Sequence, residues 1–261
     1  MSGAAAKSES VILCEGYHDR AFWAGWLEKI GCRDLGQRAH TNQRIQVQDP
    51  WGVPVVRGQY AYHSRSGRFL RIVPCQGKPN VLPEAKSRLR DRAIRPLDRL
   101  VLNFDADVTA GEPVPPGSAP ADSAVRQLLE QFGSFHQNEQ HEFVLVGPPR
   151  ETVVSVVRWE APDPCGGGLP HQQTLERLVC AALGGAYPPR APAVQQWLDS
   201  RPDAPPQGPK EFAWSYMAGW YADHGCEAFF RCLWTDGQVA SELERRLRHC
   251  AAWRVAEALA E

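Results

Sequence analysis

Two short apolar runs, each ending in carboxylates, constrain this chain more than any other feature. Val11-Ile12-Leu13-Cys14 leads into Glu15-Gly16-Tyr17-His18-Asp19, and Leu100-Val101-Leu102-Asn103-Phe104 leads into Asp105-Ala106-Asp107. Runs of four or five residues rich in Val, Ile and Leu, without alternation, read as strands buried on both faces. Such strands belong to a parallel sheet covered by helices. In open α/β sheets the ligand site lies beyond the carboxyl ends of the strands. Both acidic segments stand at that end. The expectation is an α/β fold with a mostly parallel, four- to five-stranded, Rossmann-like sheet flanked by helices.

Carboxylates gathered at one strand end repel one another. A hard divalent cation removes the repulsion, and Mg²⁺ binds through one or two carboxylates together with water and substrate phosphate. Side chains at i and i+2 share a face of a strand, so Asp105 and Asp107 point the same way. Glu15, Asp105 and Asp107 therefore read as metal ligands, with Glu15 also a general acid or base. Asp19, in the first turn of the next helix, is either a further ligand or a residue favoured there by the helix dipole. Taken singly, each segment also reads as a cap or a solvated loop.

A strand ending in Glu-Gly-x-x-Asp, followed about ninety residues later by a strand ending in Asp-x-Asp, resembles the Toprim domain. Glu15-Gly16-Tyr17-His18-Asp19 and Asp105-Ala106-Asp107 carry the resemblance, which spans residues 9–150. It implies a Toprim domain over 9–160 and a mainly helical extension over 161–261 packed on it. Leu175-Glu176 opening a helix, then Lys210 before an aromatic helix, resembles small stand-alone Toprim proteins related to the OLD-family nucleases. That resemblance implies Glu176 as a second-metal ligand and Lys210 as a catalytic cation offsetting transition-state charge. The alternatives are an exposed helix glutamate and a surface lysine.

The remaining elements follow in order. Residues 18–31 form a helix, with Phe22, Trp26, Leu27 and Ile30 at helical spacing and Gly31 past its end. Residues 55–62 suggest an irregular extra strand, 68–74 the second core strand, and Gln76-Gly77-Lys78-Pro79-Asn80 a turn. A helix runs from Pro83 to about Arg92. The third strand is 99–104, the proline- and glycine-rich 109–121 is a loop, and 122–133 is a helix. Residues 142–146 and 153–159 are the fourth strand and a fifth. The order strand–helix–strand implies right-handed crossovers and parallel pairing. Helices are expected at 172–183, 210–222 and 224–234, and one continuous helix at 238–259; 187–209 reads as loop around a VQQWL turn. Gly166-Gly167-Gly168 lacks the lysine and hydroxyl of a P-loop.

Composition narrows the class. At 261 residues the chain can bury a sizeable core, and 43% hydrophobic with 23% charged residues is ordinary for a globular protein. No run approaches the roughly 18 apolar residues of a membrane span. The amino terminus lacks the apolar segment of a secretory signal. Eight cysteines without C-x-x-C spacing argue against zinc ribbons and for reduced thiols in a cytoplasmic protein. The lack of a zinc motif also turns the resemblance away from primases, topoisomerases and recombination-repair proteins. Net charge is −1, so any basic surface is local. Residues 86–99 hold six Lys or Arg, among them Arg88 and Arg92, against two aspartates. With Lys78 these are candidate nucleic-acid contacts or a solvated helix face.

The chemistry expected from the resemblance is hydrolysis of nucleic-acid phosphodiesters, DNA or RNA, with Mg²⁺ or Mn²⁺. Such an endonuclease or nickase would serve defence or repair, controlled by a separately encoded ATPase. The competing expectations are a non-catalytic module that binds nucleic acid or a partner protein, and a phosphatase acting on small phosphates.

Overall fold

The protein, as a computed structural model, is described over residues 7–36, 45–107, 122–164, 169, 171–200, 214–215, 217 and 226–261. Its strands are β1 (Glu9–Cys14), β2 (Arg33–Asp34), β3 (Tyr60–His63), β4 (Phe69–Pro74), β5 (Leu97–Asp105), β6 (Phe135–Gln137), β7 (Phe143–Leu145) and β8 (Thr152–Trp159). They form one eight-stranded sheet in the order β2-β3-β4-β1-β5-β8-β7-β6. The helices are α1 (Tyr17–Lys29), α2 (Val81–Asp91), α3 (Asp122–Glu130), α4 (Leu175–Ala186), α5 (Ala191–Ser200), α6 (Cys226–Cys232), α7 (Gly237–Leu247) and α8 (Ala251–Ala260). A single 3-10 turn, Lys78–Asn80, precedes α2.

The sheet corrects the expectation of a mostly parallel, four- to five-stranded, Toprim-type sheet. Among the described residues it has eight strands and is mixed, and four of its seven pairings are antiparallel: β2 with β3, β3 with β4, β6 with β7, and β7 with β8. Parallel pairing is confined to the centre, where β1 lies between β4 and β5, and β8 lies beside β5. The cause is connection length. A parallel pair needs a crossover of about a dozen residues or more. Only residues 64–68 separate β3 from β4, and only 146–151 separate β7 from β8. Neither link can cross the sheet, so the strand expected at 142–146 runs antiparallel to its successor.

Alternation along the central strands builds two apolar layers. Val11 and Leu13 of β1, with Leu100, Leu102 and Phe104 of β5, pack under α2 and α3. Ile12, Cys14, Val101, Val157 and Trp159 face the other way, against α1, α4, α6, α7 and α8. This second layer is one apolar cluster running from Ile12 to Ala260, so the carboxyl-terminal helices share the core of the sheet.

Helix α1 sits at the middle of that cluster and is buried without interruption from Asp19 to Leu27. It is therefore buried all round rather than on one stripe, with Asp19 and Arg20 as its buried charges. Trp26 stacks on Trp23 at 5.2 Å and on Trp234 at 5.1 Å. The indole N–H groups find partners: Trp23 Nε1 donates to Asn103 Oδ1 at 2.9 Å and Trp234 Nε1 to the Phe22 carbonyl at 3.1 Å. Gly25 lets α6 approach this closely, because a Cβ there would strike the Arg231 carbonyl oxygen. The helix expected as continuous over 238–259 is interrupted at Arg248–Cys250, and residues expected as loop form α5.

Candidate active site

Strands β1 and β5 are parallel neighbours, so the segments leaving them emerge at the same edge of the sheet. Glu15 turns back toward β5, and its Oε1 accepts a 2.9 Å hydrogen bond from the Asp105 backbone N–H, ninety residues away in sequence. The segment after β4 closes the third side. Cys75 N donates to the Cys14 carbonyl at 2.8 Å and Gly77 N to the Glu15 carbonyl at 2.7 Å. To reach that position the backbone passes through left-handed conformations at Gln76 (φ 60°) and Gly77 (φ 118°).

Two helices begin at this edge. Gly16 precedes α1, and its N–H donates to Asp19 Oδ2 at 3.0 Å. Asp19 Oδ1 accepts from Trp159 Nε1, at the end of β8, at 2.7 Å. The carboxylate is thus fixed from both sides. Helix α4 begins where Asp105 Oδ1 accepts from the Leu175 N–H at 2.9 Å, and Thr174 caps it through the Arg177 N–H. That arrangement carries Glu176, in the first turn, into the same space. Its Oε1 lies 3.4 Å from His18 Nδ1, and the His18 ring stacks on Phe230 at 4.8 Å.

Glu15, Asp19, Asp105 and Glu176 together line one cavity of about 300 Å³, with His18 and Gln76 also in its wall. Crowding of negative charge away from water is visible in their acidities. Burial pushes Asp19 up to about 6, and the Glu176 charge adds to the rise. Burial raises Asp105 well above the usual carboxylate range, reinforced by Asp19, Glu176 and Glu15. Glu15 is also raised, mainly by burial, although its bond to the Asp105 N–H acts against the rise. Glu15, Asp19 and Asp105 are each destabilised as anions, first by burial and then by neighbouring carboxylates, which is the condition a hard cation relieves. As placed, no group of three or more His, Cys, Asp or Glu side chains among the described residues closes on a single point that could hold an ion. What the four carboxylates share with a divalent-cation site is oxygen chemistry and charge.

The other candidates lie elsewhere. Asp107 is outside the cavity wall, in a left-handed conformation (φ 56°), and pairs with Lys78 Nζ at 2.7 Å. The same ammonium donates to the Asp105 carbonyl at 3.1 Å, so Lys78 ties the two aspartates together. Arg88 pairs with Glu84 at 2.8 Å and approaches Glu9 to 3.8 Å. Glu9 begins β1, which puts Arg88 roughly 20 Å from Glu15 along that strand. Arg92 is buried, with its guanidinium between the Phe132 and Val146 carbonyls at 3.4 Å. Lys210 lies outside the described residues.

The sequence motifs point to neither Trp159 nor Gln76, and they include His18 only as a spacer between Glu15 and Asp19. The signal for His18 was its place inside Glu-Gly-x-x-Asp, beside the first turn of α1. For Trp159 it was a tryptophan closing an apolar strand, which needs an acceptor for its N–H when buried.

No protein-family model matches the chain, and no curated protein matches it by sequence. Among solved structures it is similar to a hypothetical protein from Pyrococcus horikoshii OT3. The likeness covers 97% of this chain and 100% of that one, with a TM-score of 0.63 and 16% sequence identity. At that identity the likeness concerns the fold alone. No helix among the described residues is long and apolar enough to cross a membrane.

Proposed function

We propose that this protein is a divalent-cation-dependent phosphodiester hydrolase acting on nucleic acid. The observation that carries the reading is the convergence of Glu15, Asp19, Asp105 and Glu176 on one cavity, from segments after β1 and at the ends of α1, β5 and α4. Asp19, Asp105 and Glu176 would hold Mg²⁺ or Mn²⁺, with Glu15 beside them. When bound, the cation supplies neutralisation of the phosphate's charge.

The chain's own groups supply the rest. Glu15, at the mouth between β1 and β5, is placed to take a proton from an attacking water at Oε2, since Oε1 is held by the Asp105 N–H. Its raised pKa moves it toward the range where a carboxylate exchanges protons near neutrality. Lys78, between Asp105 and Asp107, is placed to meet a phosphate oxygen at the rim. The first turns of α1 and α4 direct backbone N–H groups toward the same space, and Leu175 and Gly16 use theirs to orient Asp105 and Asp19. Nucleic acid, rather than a small phosphate ester, is favoured by the resemblance of Glu15–Asp19 and Asp105–Asp107 to Toprim motifs.

The test is cleavage of labelled single-stranded DNA, duplex DNA and RNA with Mg²⁺ or Mn²⁺, run beside Asp105→Ala. Cation-dependent cutting lost in the variant is the expected result, and no cutting of any substrate with either metal overturns it. A second reading, a non-catalytic nucleic-acid module, is favoured by the Lys78–Asp107 pair, which already neutralises one acidic motif residue. In that case affinity persists in Asp105→Ala and no product forms.

A further inference from the structure

We infer that Tyr17, between the acidic cavity and a second cavity beside it, is the stacking platform for a base of a single-stranded nucleic acid whose backbone enters the acidic site. The inference rests on the hydrolase reading for the identity of the polymer, but not for the existence of the platform.

Tyr17 is a large aromatic left 48% exposed at the start of a helix that is buried from Asp19 to Leu27, and it lines the acidic cavity between Glu15 and Asp19. Its ring is held from behind. The Arg20 guanidinium lies 4.7 Å from the Tyr17 centroid and 4.1 Å from that of Tyr60, so one cation is sandwiched between two rings. Arg20 is fixed in turn by donating to the Gly58 carbonyl. A ring braced this way loses little freedom when a second planar group is laid on it. Arg20 also polarises the ring it touches, and stacking on an aromatic is tolerant of base identity.

The wall behind Tyr17 opens into a cavity of about 520 Å³ lined by Arg20, Arg57, Gly58, Gln46, Gln59 and Val56, among others. Gly58 is in a left-handed conformation (φ 92°), and a Cβ there would lie 3.8 Å from the Tyr17 ring. Tyr17 therefore stands on the partition between the two cavities. The second cavity is of a size that small planar ligands occupy. Arg57, exposed at its rim, supplies a cation for a flanking phosphate; Gln46 Nε2 donates to the Val55 carbonyl and Gln59 Oε1 accepts from Arg71, so Gln46 Oε1 and Gln59 Nε2 are the groups that would meet a base edge. An acidic site flanked by an aromatic step and an arginine-bearing cavity suits a strand whose bases are unstacked. In a duplex the bases are paired and cannot lie flat on Tyr17.

The test is fluorescence anisotropy of the full chain with labelled pyrimidine oligonucleotides about 12 nucleotides long, within the usual single-strand site sizes. DNA and RNA versions and a duplex of the same length are compared, in EDTA and in Ca²⁺. Tyr17→Ala is expected to weaken single-strand binding on the order of 5- to 100-fold, while Tyr17→Phe stays within about twofold of the parent. Arg57→Glu, an exposed change that leaves the fold intact, should weaken binding and flatten its salt dependence. Equal binding by Tyr17→Ala and the parent, or tighter binding of duplex than of single strand, overturns the inference. Because binding is read without turnover, loss of affinity in Tyr17→Ala supports the platform even if no cleavage is found. Cleavage that is indifferent to Tyr17→Ala, with unchanged KM, overturns the platform and leaves the hydrolase reading standing.

Discussion

The two ends of β1 each gather buried carboxylates, and they treat them in opposite ways. At the amino end, Glu9 and Asp49 are buried beside arginines. Arg71 reaches Glu9 at 2.9 Å and Asp49 at 3.1 Å, with Arg88 at 3.8 Å and Arg95 at 4.0 Å. At the carboxyl end, Asp19, Asp105 and Glu176 face one another across a cavity, and burial and mutual repulsion raise the first two. An arginine-paired cluster is a structural joint, because removing either charge strands the other. A cluster that is raised and opens on a cavity marks a candidate ligand site. The sheet thus separates an arginine-paired end from the end at which the proposed chemistry would sit, a few residues apart on the same strand.

That contrast breaks most sharply at Glu15. Glu15→Gln keeps an acceptor for the Asp105 N–H but cannot move a proton, so the fold should stand while cation-dependent cleavage falls about 10²- to 10⁴-fold. Initial rates at saturating Mg²⁺ measure it; a loss smaller than tenfold would remove Glu15 from proton transfer. The mirror change is Arg71→Ala, which leaves Glu9 and Asp49 buried without their shared partner. It should cost about 3–5 kcal/mol of unfolding free energy in urea, with cleavage per folded molecule unchanged.

The raised acids make pH the next discriminator. Asp19 is at about 6 in the folded chain against an ordinary 3.8. A carboxyl raised by folding favours the folded state below pH 4 and loses that contribution as pH climbs through about 6. Asp19, beside Glu176, then makes the metal-free protein less stable at pH 7.5 than at pH 4. Mg²⁺ should flatten that slope in thermal melts across the same range, and a slope unchanged by metal would count against cation binding at this cavity. Asp105→Asn sharpens the point, since it retains the acceptor for Leu175 N–H and discards the repelled charge. It should stabilise the metal-free protein at neutral pH by about 0.5–2 kcal/mol while abolishing cleavage, the usual trade at a functional site.

The strands that carry the site were readable from sequence because burial on both faces leaves an unbroken apolar run, and Glu15, Asp19 and Asp105 follow from where those runs end. Strand direction at the sheet margins was readable too, but only from link length: residues 64–68 and 146–151 are too few for a crossover. The alternation of strand and helix patterns points the other way, and β6, three residues long, is too short to show a pattern. The unbroken burial of α1 from Asp19 to Leu27 depends on α6 and α8, two hundred residues away, so no local periodicity could announce it. Arg92 sits amid carbonyls contributed by residues 132 and 146, and a basic stretch on a helix gives no hint of that.

Lys78 decides to which end of the contrast Asp107 belongs. Its ammonium bridges the Asp105 carbonyl and the Asp107 carboxylate, and both side chains are part-exposed. A pair so placed is worth at most about 1 kcal/mol, so Lys78→Ala should barely lower the melting temperature. The informative readout is metal affinity, by calorimetry with Mn²⁺. If Asp107 is a ligand held in reserve, removing the lysine frees it and tightens Mn²⁺ binding severalfold, while cleavage drops through loss of the phosphate contact. If Asp107 serves only to anchor the turn after β5, Mn²⁺ affinity stays at the parent value in Lys78→Ala and in Asp107→Asn alike. The metal site then consists of the cavity acids alone, and the Asp-x-Asp spacing reflects the geometry of a turn.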